Sequence, residues 1–438
     1  MDYSPVPFAS LAPLEPLMDK CVHCGFCLST CPSYLLLGQE MDSPRGRIYL
    51  MRAGVERRIG LSESVVAHFD SCLGCMACET ACPSGVRYAP LIEETRASIE
   101  HDHARPTSDH FFRQMLFQFL PYPMRLRLIA LPLGLVNHLR RWPRLLKKLP
   151  LRVRNLIALA PDPPPRGARA AVARRTAAAG ERRARVGLVT GCVQRVFFGH
   201  VNQATVRVLA AEGCEVIAPR GQGCCGALAL HAGRGDEARR FARRMIRRFE
   251  RQNVDSIVIN AAGCGSTMKS YGDLLKNDPA WAERAQAFSA KVRDVSETLA
   301  GLQPARAVRQ PMNLRVAYHD ACHLAHAQGI RREPRQVLES IPGVTLVPFA
   351  DSEICCGSAG IFNLVEPEMA AELGRRKVIS IAASTPDVVV TSNPGCIVQI
   401  AANARVIGHS FRVLHLVELL DASISPVRLK PDTTTSST

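Results

Sequence analysis

Short apolar runs alternate with amphipathic helical patterns throughout the second half of the chain. Six runs rich in β-branched residues have the length and pattern of buried strands: 185–190, 214–219, 255–260, 314–319, 344–349 and 387–392. Helical periodicity separates them, most clearly over 236–250 and 366–381. Because strands that alternate with helices form parallel sheets, we expect two α/β units in tandem.

The first half has a different pattern, with almost no strand-like alternation. Segments 62–69 and 89–99 have the apolar spacing of short helices, and residues 109–159 have that of helices interrupted by proline. Residues 161–185 are rich in proline, alanine and arginine and predict an exposed linker, which is the clearest domain boundary in the sequence. The complete pattern predicts an α+β multidomain protein.

Cysteines repeat in step with the strands of the second half. Two copies share the order single cysteine, Cys-Cys-Gly, single cysteine, and their cysteines are Cys192, Cys224, Cys225 and Cys264, then Cys322, Cys355, Cys356 and Cys396. The single cysteine precedes the pair by 32 residues in one copy and 33 in the other. Such an internal repeat predicts one structural unit used twice. Because the cysteine loops follow strands, we expect the carboxyl edge of each sheet to gather its four thiols.

The composition favours metal or redox use of the cysteines over disulfides. A chain of 438 residues can bury its own cores, and its 17 cysteines lie in tight clusters. Residues 1–20 contain no basic region followed by an apolar core, which predicts a cytoplasmic protein with reduced thiols. No run of 18 apolar residues occurs, so no bilayer-spanning helix is expected.

The chain is strongly basic, with a net charge of +16 from 55 basic and 39 acidic side chains. Much of the excess lies in residues 140–185, where few aromatic residues are interleaved, so nucleic acid is not an expected partner. An anionic membrane surface, an acidic partner subunit and a solvated linker each account for such a surface. Residues 111–149 are the segment expected to contact a membrane or partner subunits.

Two cysteine runs near the N-terminus carry the strongest chemical signal. Both have the spacing C-x2-C-x2-C-x3-C-P, and their members are Cys21, Cys24, Cys27 and Cys31, then Cys72, Cys75, Cys78 and Cys82. This is the bacterial ferredoxin pattern, in which three cysteines of a run hold one [4Fe–4S] cluster and the fourth holds the other. We therefore expect a first cysteine set of Cys21, Cys24, Cys27 and Cys82, and a second cysteine set of Cys72, Cys75, Cys78 and Cys31.

Zinc sites and buried thiols are the alternatives for these two runs. Zinc takes four ligands, usually from paired C-x2-C units, and would leave the third and fourth members of each run without a role. Gly25 and Gly74 allow close approach of the backbone, whose N–H groups can bond to cluster sulfurs. The wide separation of the runs, with a helical segment between them, resembles the α-helical ferredoxin module more than the compact βαβ ferredoxin.

Several segments resemble those of the glycolate oxidase iron–sulfur subunit family. The resemblance is carried by both cysteine runs and by the segments DSPRGRIYLMR, YHDACHLAHAQGI, ICCGSAGIFNL and SNPGCIVQI. It implies an oxidoreductase subunit that relays electrons through two [4Fe–4S] clusters toward the quinone pool. FAD and the oxidation of glycolate or a related 2-hydroxyacid are then expected on partner subunits, with no catalytic residue on this chain. It also implies a hetero-oligomer, peripheral on the inner face of the plasma membrane.

The double-cysteine repeats resemble the cysteine-rich domains of heterodisulfide reductases, lactate-utilisation proteins and anaerobic glycerol-3-phosphate dehydrogenase. In heterodisulfide reductase such motifs bind unusual clusters with the help of a final C-x2-C. The last cysteine of that element is absent here, because Gly-Ser-Thr follows Cys264 and Ile-Val-Gln follows Cys396. An additional iron–sulfur cluster, a zinc ion and a structural thiol group therefore all stay open for the eight cysteines of the two copies.

Four side chains near these motifs are expected to have structural roles. His319, Asp320 and His323 flank Cys322, but histidines near a cysteine are more often hydrogen-bonding loop residues than ligands. Cys214 begins a strand-like run and is expected to be a buried apolar side chain.

The motifs predict five successive segments and favour one function over two others. The segments are a two-cluster α-helical ferredoxin domain at 1–100, a helical segment with the linker at 101–184, cysteine-rich domains at 185–300 and 312–422, and a disordered tail at 423–438. Electron transfer without substrate chemistry on this chain is the function favoured by the two complete runs. The alternatives are a disulfide or quinone reductase with reactive Cys-Cys-Gly centres, as in a lactate-utilisation or heterodisulfide reductase subunit, and a zinc-stabilised scaffold.

Overall fold

Helices form the N-terminal part of the protein, and two mainly parallel sheets with flanking helices form the rest. The computed structural model describes residues 8–130, 138–140, 142, 146, 148–161 and 171–424. Most of the predicted tail, residues 425–438, lies outside these residues, as does the segment 162–170 of the predicted linker. Within the described ranges, none of the helices has both the length and the apolar character that crossing a bilayer requires.

The N-terminal module, residues 8–102, consists of short helices around an apolar core. Its helices are α1 (Glu15–Met18), α2 (Pro32–Leu37), α3 (Pro44–Val55), α4 (Glu63–Asp70), α5 (Ala77–Thr80) and α6 (Tyr88–Asp102), with 3-10 turns at Ala9–Leu14 and Glu40–Asp42. Phe69, Leu91 and Ile92 are fully buried in this core. The predicted helices at 62–69 and 89–99 are thus confirmed as α4 and α6. The loops between the short helices carry the two cysteine runs.

Between this module and the sheets lie α7 (Thr107–Phe119), α8 (Pro123–Ile129) and α9 (Leu151–Leu159). Pro123 stands in the first turn of α8, where its missing N–H costs nothing. Asp109 ties α7 to α9, because its carboxylate accepts from Arg113 at 2.7 Å and from Arg152 at 2.8 Å. Burial raises the pKa of Asp109, but the neighbouring arginines outweigh it and lower the pKa.

The first α/β unit, residues 171–301, contains a five-stranded sheet in the order β1-β3-β2-β4-β5. Its strands are β1 (Arg175–Thr176), β2 (Ala184–Val189), β3 (Cys214–Ile217), β4 (Ser256–Ile259) and β5 (Val292–Asp294). Its helices are α10 (Val193–Phe197), α11 (Gly199–Ala211), α12 (Ala227–His231), α13 (Gly235–Phe249), α14 (Ala262–Lys269), α15 (Tyr271–Leu274), α16 (Ala282–Lys291) and α17 (Val295–Gly301), with a 3-10 turn at Glu250–Gln252. Strand β1 corrects the prediction of an exposed linker, because Arg175 and Thr176 pair antiparallel with β3.

The second α/β unit, residues 314–424, repeats this arrangement with the strand order β7-β6-β8-β9, all parallel. Its strands are β6 (Leu314–Tyr318), β7 (Val344–Leu346), β8 (Val388–Thr391) and β9 (Arg412–His415). Its helices are α18 (Cys322–Ala325), α19 (Arg332–Glu339), α20 (Phe362–Val365), α21 (Pro367–Ala383), α22 (Pro394–Val406) and α23 (Leu416–Ile424). The order matches β3-β2-β4-β5 of the first unit, and all six predicted strands form. Each sheet also contains an unpredicted strand, β5 or β9, beside its third predicted one, and the first sheet contains the unpredicted β1 as well.

The two sheets share one hydrophobic core. Val186 and Leu188 of β2 belong to the same buried cluster as Val316 of β6 and Val390 of β8. Helix α23 of the second unit packs on α11 of the first. We therefore expect the two units to be held rigidly to each other, because separating them would expose this apolar surface to water.

Helices α21 and α22 pack so closely at Gly374 that no side chain fits there. A Cβ at this position would lie 2.2 Å from Nδ2 of Asn403. We expect Gly374→Ala to lower the free energy of unfolding by about 1–3 kcal/mol, because overpacking displaces the helix or Asn403. The control is Gly301→Ala at the end of α17, where the space is open and the change is expected to stay within about 1 kcal/mol. Equal chemical denaturation midpoints for the two variants would contradict this packing.

Candidate metal centres

The second cysteine set lies in one small pocket formed by both runs. Cys31, from the first run, lines this pocket of about 20 Å³ together with Cys72, Cys75 and Cys78 from the second. Cys31 directly precedes Pro32, the first residue of α2, and the other three occupy the turn between α4 and the start of α5. Positive φ angles at Gly74 and Met76 give this turn its tight shape. All four thiols can thus face one bound group.

A buried arginine fixes the walls of this pocket. Arg47 of α3 is 1% exposed and donates to the carbonyl of His68 at 2.6 Å. It also donates to the hydroxyls of Ser33 at 3.0 Å and Ser71 at 2.8 Å. These bonds join α2, α3 and the end of α4, so the guanidinium sets the positions of the segments that carry Cys31 and Cys72.

Positive charge near Cys72 favours its thiolate. Burial raises the pKa of the Cys72 thiol, but the guanidinium groups of Arg47 and Arg96 outweigh burial and lower it. The backbone N–H of Gly74 donates to the Cys72 sulfur at 3.4 Å. Burial raises the pKa of Cys75 and of Cys78 well above the usual range. A group that binds all four as thiolates must therefore supply positive charge of its own.

The first cysteine set is more exposed than the second. Cys24 is exposed, and Cys21, Cys27 and Cys82 are half-buried. Burial raises the pKa of Cys27 to about 11, and the nearby Cys21 and Cys31 thiols raise it further. Cys82 packs with Cys21 against the core of the N-terminal module. Unlike the second set, this set therefore has a member open to solvent.

Each α/β unit arranges its four sulfurs in the same sequence. In the first unit, Cys192 lies 3.6 Å from Cys224 between sulfur atoms, and the thiols of Cys224 and Cys264 both lower the pKa of Cys225. The second unit repeats this series, because each thiol influences the pKa of its neighbour in the order Cys322, Cys355, Cys356 and Cys396. As expected from the strand pattern, the single cysteines of each unit follow the ends of its parallel strands.

The glycine of each Cys-Cys-Gly motif lets the cysteine pair approach a helix. Gly226 and Gly357 have φ angles of +88° and +89°. A Cβ on Gly226 would lie 3.1 Å from the carbonyl oxygen of Ala238, and one on Gly357 would lie 2.8 Å from that of Ala370. Residues 221–226 also have the G-x-G-x-x-G spacing of dinucleotide-binding loops, but their cysteine pair contacts other thiols, so we assign the turn to the cysteine site.

One cavity connects the cysteines of both units. It has a volume of about 330 Å³ and is lined by all eight of these cysteines, by Cys72 of the N-terminal module and by His231 and His323. Most of its lining is apolar, as ligand cavities usually are. The internal repeat thus produces one shared site at the interface of its two copies.

The second cysteine set lies against the second α/β unit. Cys75 belongs to a small apolar cluster with Cys355 and Phe362, and Cys322 packs against the same cluster. His323 bonds to the carbonyl of Gly74 through Nε2 at 2.9 Å. The N-terminal module and the shared cavity are therefore in direct contact at their cysteines.

The side chains beside Cys322 have the structural contacts that the sequence predicts. Asp320 forms an ion pair with Arg335 at 2.7 Å, and His323 bonds through both ring nitrogens, to Gly74 and Ser266. Burial lowers the pKa of His323 to about 3, so its ring is neutral. His319 bonds through Nδ1 to the carbonyl of Ser352 at 3.1 Å.

Cys214 is confirmed as a buried apolar side chain, and burial raises its pKa to about 11. Sequence analysis missed three cations at the cysteine sites: the buried Arg47 and Lys377 and the half-buried Arg96. Arg47 lies within the segment SPRGRIYLMR, whose only local anomaly is an arginine on the apolar face of a short helix. An arginine at such a position indicates a buried charge with partners inside the protein, and this was the signal by which Arg47 could have been found.

Family models match both parts of the chain. A 4Fe-4S dicluster domain matches residues 17–86, and a cysteine-rich domain matches residues 186–269 and again 316–401. The first match contains both ferredoxin-type runs. The two later matches each contain one complete copy of the cysteine repeat, which agrees with the repeated strand order and confirms the α+β fold class.

Curated relatives extend along almost the whole chain. The probable glycolate oxidase iron-sulfur subunit of Bacillus subtilis is 37% identical over 92% of this chain and 93% of its own length. The glycolate oxidase iron-sulfur subunit of Escherichia coli is 34% identical over 94% of this chain and 95% of its own. Lactate utilization protein A of an Exiguobacterium strain is 31% identical over 55% of this chain and 98% of its own. The cysteine sites, the two domain types and the full-length relatives together establish that the chain belongs to the glycolate oxidase iron–sulfur subunit family.

Proposed function

We propose that this chain is the electron-transfer subunit of a flavin-dependent glycolate or 2-hydroxyacid oxidoreductase complex. In this proposal the first cysteine set holds one [4Fe–4S] cluster and the second cysteine set holds another. The single observation that carries it is the pocket in which Cys31, from one run, lies with Cys72, Cys75 and Cys78 from the other. Four thiols from two runs are the ligand set that the crossed ferredoxin pattern requires.

The described residues fit such a cofactor in charge as well as in number. Bound [4Fe–4S] clusters would each accept and release one electron. Arg47 and Arg96 offset thiolate charge at Cys72, and Tyr88 hydrogen-bonds to the Cys72 sulfur at 3.9 Å. Burial of Cys31, Cys72 and Cys75 limits the access of water to the second set, whereas exposure of Cys24 opens the first set to solvent and to a partner. Side-chain environment thus gives the two sites different polarity and access.

Substrate oxidation belongs, in this proposal, to FAD-binding partner subunits in a hetero-oligomer. Support comes from the family, whose members are iron–sulfur subunits of glycolate oxidase, an oxidoreductase that acts on CH–OH donors. We propose the quinone pool as the final acceptor and a peripheral position on the cytoplasmic face of the plasma membrane. The net charge of +16 supports contact with anionic lipid or with an acidic subunit.

A second candidate function is supported by the shared cavity. Eight cysteines line a volume of about 330 Å³, which is large enough for a small organic ligand. A reactive centre in this cavity would make the chain a reductase subunit of the lactate-utilisation or heterodisulfide reductase type. Reduction of a disulfide by the purified chain and a chemical donor, without any flavoprotein, would favour this function.

Replacing one ligand of the second cysteine set tests the electron-transfer proposal. We expect Cys75→Ser to lower the iron content from about eight to about four atoms per chain, because one four-iron cluster is lost. In the complex, flavin reduction by glycolate should persist while electron transfer to a dye or quinone stops. The matched control is Cys214→Ala, a buried cysteine outside both sets, which should retain all iron. Undiminished quinone reduction by an iron-depleted Cys75→Ser complex would contradict a serial path.

Removing the buried cation tests its role at the second cysteine set. We expect Arg47→Met to lower the free energy of unfolding by about 3–5 kcal/mol, because its hydrogen-bond acceptors and Asp42 stay buried without it. Loss of a positive charge should also make the midpoint potential of the adjacent cluster more negative. Thermal unfolding and EPR-monitored redox titration measure these effects.

Arg52→Met is the matched control on the same helix, since the Arg52 side chain is 40% exposed and its partner Asp19 is exposed as well. Its cost should be about 1 kcal/mol or less, as for other surface ion pairs. If both variants unfolded alike and kept both potentials, Arg47 would have no special role at the cysteine set.

A further inference from the structure

One buried histidine of the second α/β unit has a ring nitrogen without a hydrogen-bond partner. His319 directly follows β6 and is 0% exposed. Its Nδ1 bonds to the carbonyl of Ser352, whereas its Nε2 is buried and has no partner among the described residues. Because Nδ1 must donate its proton to that carbonyl, the lone pair lies on Nε2. A buried acceptor without a partner is costly unless a bound group uses it.

The His319 ring lies beside two cysteines. Ligand atoms of His319, Cys356 and Cys396 all lie within 4.8 Å of one another. A single zinc ion, with bonds of about 2.3 Å to sulfur and about 2.0 Å to nitrogen, holds its donors about 3.5 Å apart. The three donors therefore need only a small inward movement to bind one ion. A cubane cluster needs wider spacing between its ligands, so a compact set favours one ion.

The two sulfurs have surroundings suited to thiolates. The Cys396 sulfur accepts a hydrogen bond from Nδ2 of Asn393 at 3.6 Å. The ammonium of Lys377 is buried near Cys355, Cys356 and Cys396 and donates to the carbonyl of Asp351. A fixed positive charge and an amide donor are the outer contacts that stabilise metal-bound thiolates.

Among the described residues, the other fully buried histidine, His415, has no free ring nitrogen, and neither does the half-buried His323. His323 uses both ring nitrogens for Gly74 and Ser266, and His415 uses both for Asn260 and Val417. The first copy of the repeat also differs, because Val189 occupies the position three residues before its single cysteine, where the second copy has His319. The nitrogen donor thus distinguishes the second copy from the first.

We propose that His319, Cys356 and Cys396 bind a zinc ion in the second α/β unit, with Cys355 as the fourth ligand. Cys355 precedes Cys356 in the chain and its thiol influences the pKa of Cys356, and three thiolates with one neutral imidazole give a zinc centre a net charge of −1. The ammonium of Lys377 balances that charge. The ion joins the end of β6, the Cys-Cys-Gly loop and the start of α22 beside the shared cavity. It is separate from the two iron–sulfur sites and independent of their proposed function.

Metal analysis of the purified complex tests this site. We expect about one zinc per chain in the wild type and at least a tenfold loss of zinc affinity in His319→Ala. His323→Ala, at a half-buried histidine nearby in the chain whose two ring nitrogens are both occupied, should keep its zinc. Zinc-edge X-ray absorption of the wild type should contain both nitrogen and sulfur scattering. His319→Cys should restore zinc with sulfur scattering alone, which covers the case in which His319→Ala does not fold.

Three outcomes would overturn the proposal: no zinc in the wild type, iron in place of zinc at this site, or equal zinc content in His319→Ala and His323→Ala. The iron content separates this test from that of the proposed function. About eight iron atoms per chain with no zinc would leave the two clusters intact and remove only the zinc site. Zinc in the absence of iron would support the zinc site and contradict the two proposed iron–sulfur clusters.

Discussion

The buried guanidinium of Arg47 is the interaction on which the N-terminal cysteine sites depend. Thiols crowded into an apolar pocket resist ionisation, so a ligand set of this kind requires positive charge and fixed walls. Arg47 supplies both, because it lowers the pKa of Cys72 and bonds from α3 to two other segments of the chain, α2 and the end of α4. Through those bonds Cys31, distant in sequence, is held opposite the turn of the second run. Helix α3 places the Arg47 side chain in the interior of the module.

The cysteines form a graded series from the surface to the interior. Cys24 is exposed, Cys31, Cys72 and Cys75 of the second cysteine set are buried with Cys78 half-buried, and Cys75 packs against Cys355 at the edge of the shared cavity. Since the two sheets share one core, the cavity walls are as rigid as the sheets themselves. Such an arrangement suits a subunit whose exposed site exchanges electrons with a partner and whose deeper redox site is shielded from solvent. It also places any second activity next to the same buried thiols.

Local patterns predicted much of this architecture. The ferredoxin spacing, the doubled Cys-Cys-Gly motif and the six strands at 185–190 through 387–392 are all periodic or closely spaced signals. Strands β5 and β9 were not predicted, because three or four residues of mixed polarity are too few to show the periodicity of a strand. Strand β1 escaped because its two residues form a strand only by pairing with β3.

The role of Arg47, the shared core and the free nitrogen of His319 depend on contacts between residues far apart in the chain. No single-sequence pattern encodes such contacts. The arginine could be noticed on a helix, but its three acceptors could not be named. Likewise, a histidine near a cysteine is ambiguous until the partner of each ring nitrogen is known.

The short strand β1 has a consequence for how the protein associates. By pairing with β3 it occupies the outer hydrogen-bonding edge of the first sheet with a piece of the same chain. An uncovered edge of this kind recruits strands from other molecules and promotes aggregation. Residues Arg175 and Thr176, which lie in the predicted linker, therefore do more than connect domains. Strand β1 covers the exposed edge of β3. A proteolytic cut that released β1 would expose this edge and make the subunit prone to self-association.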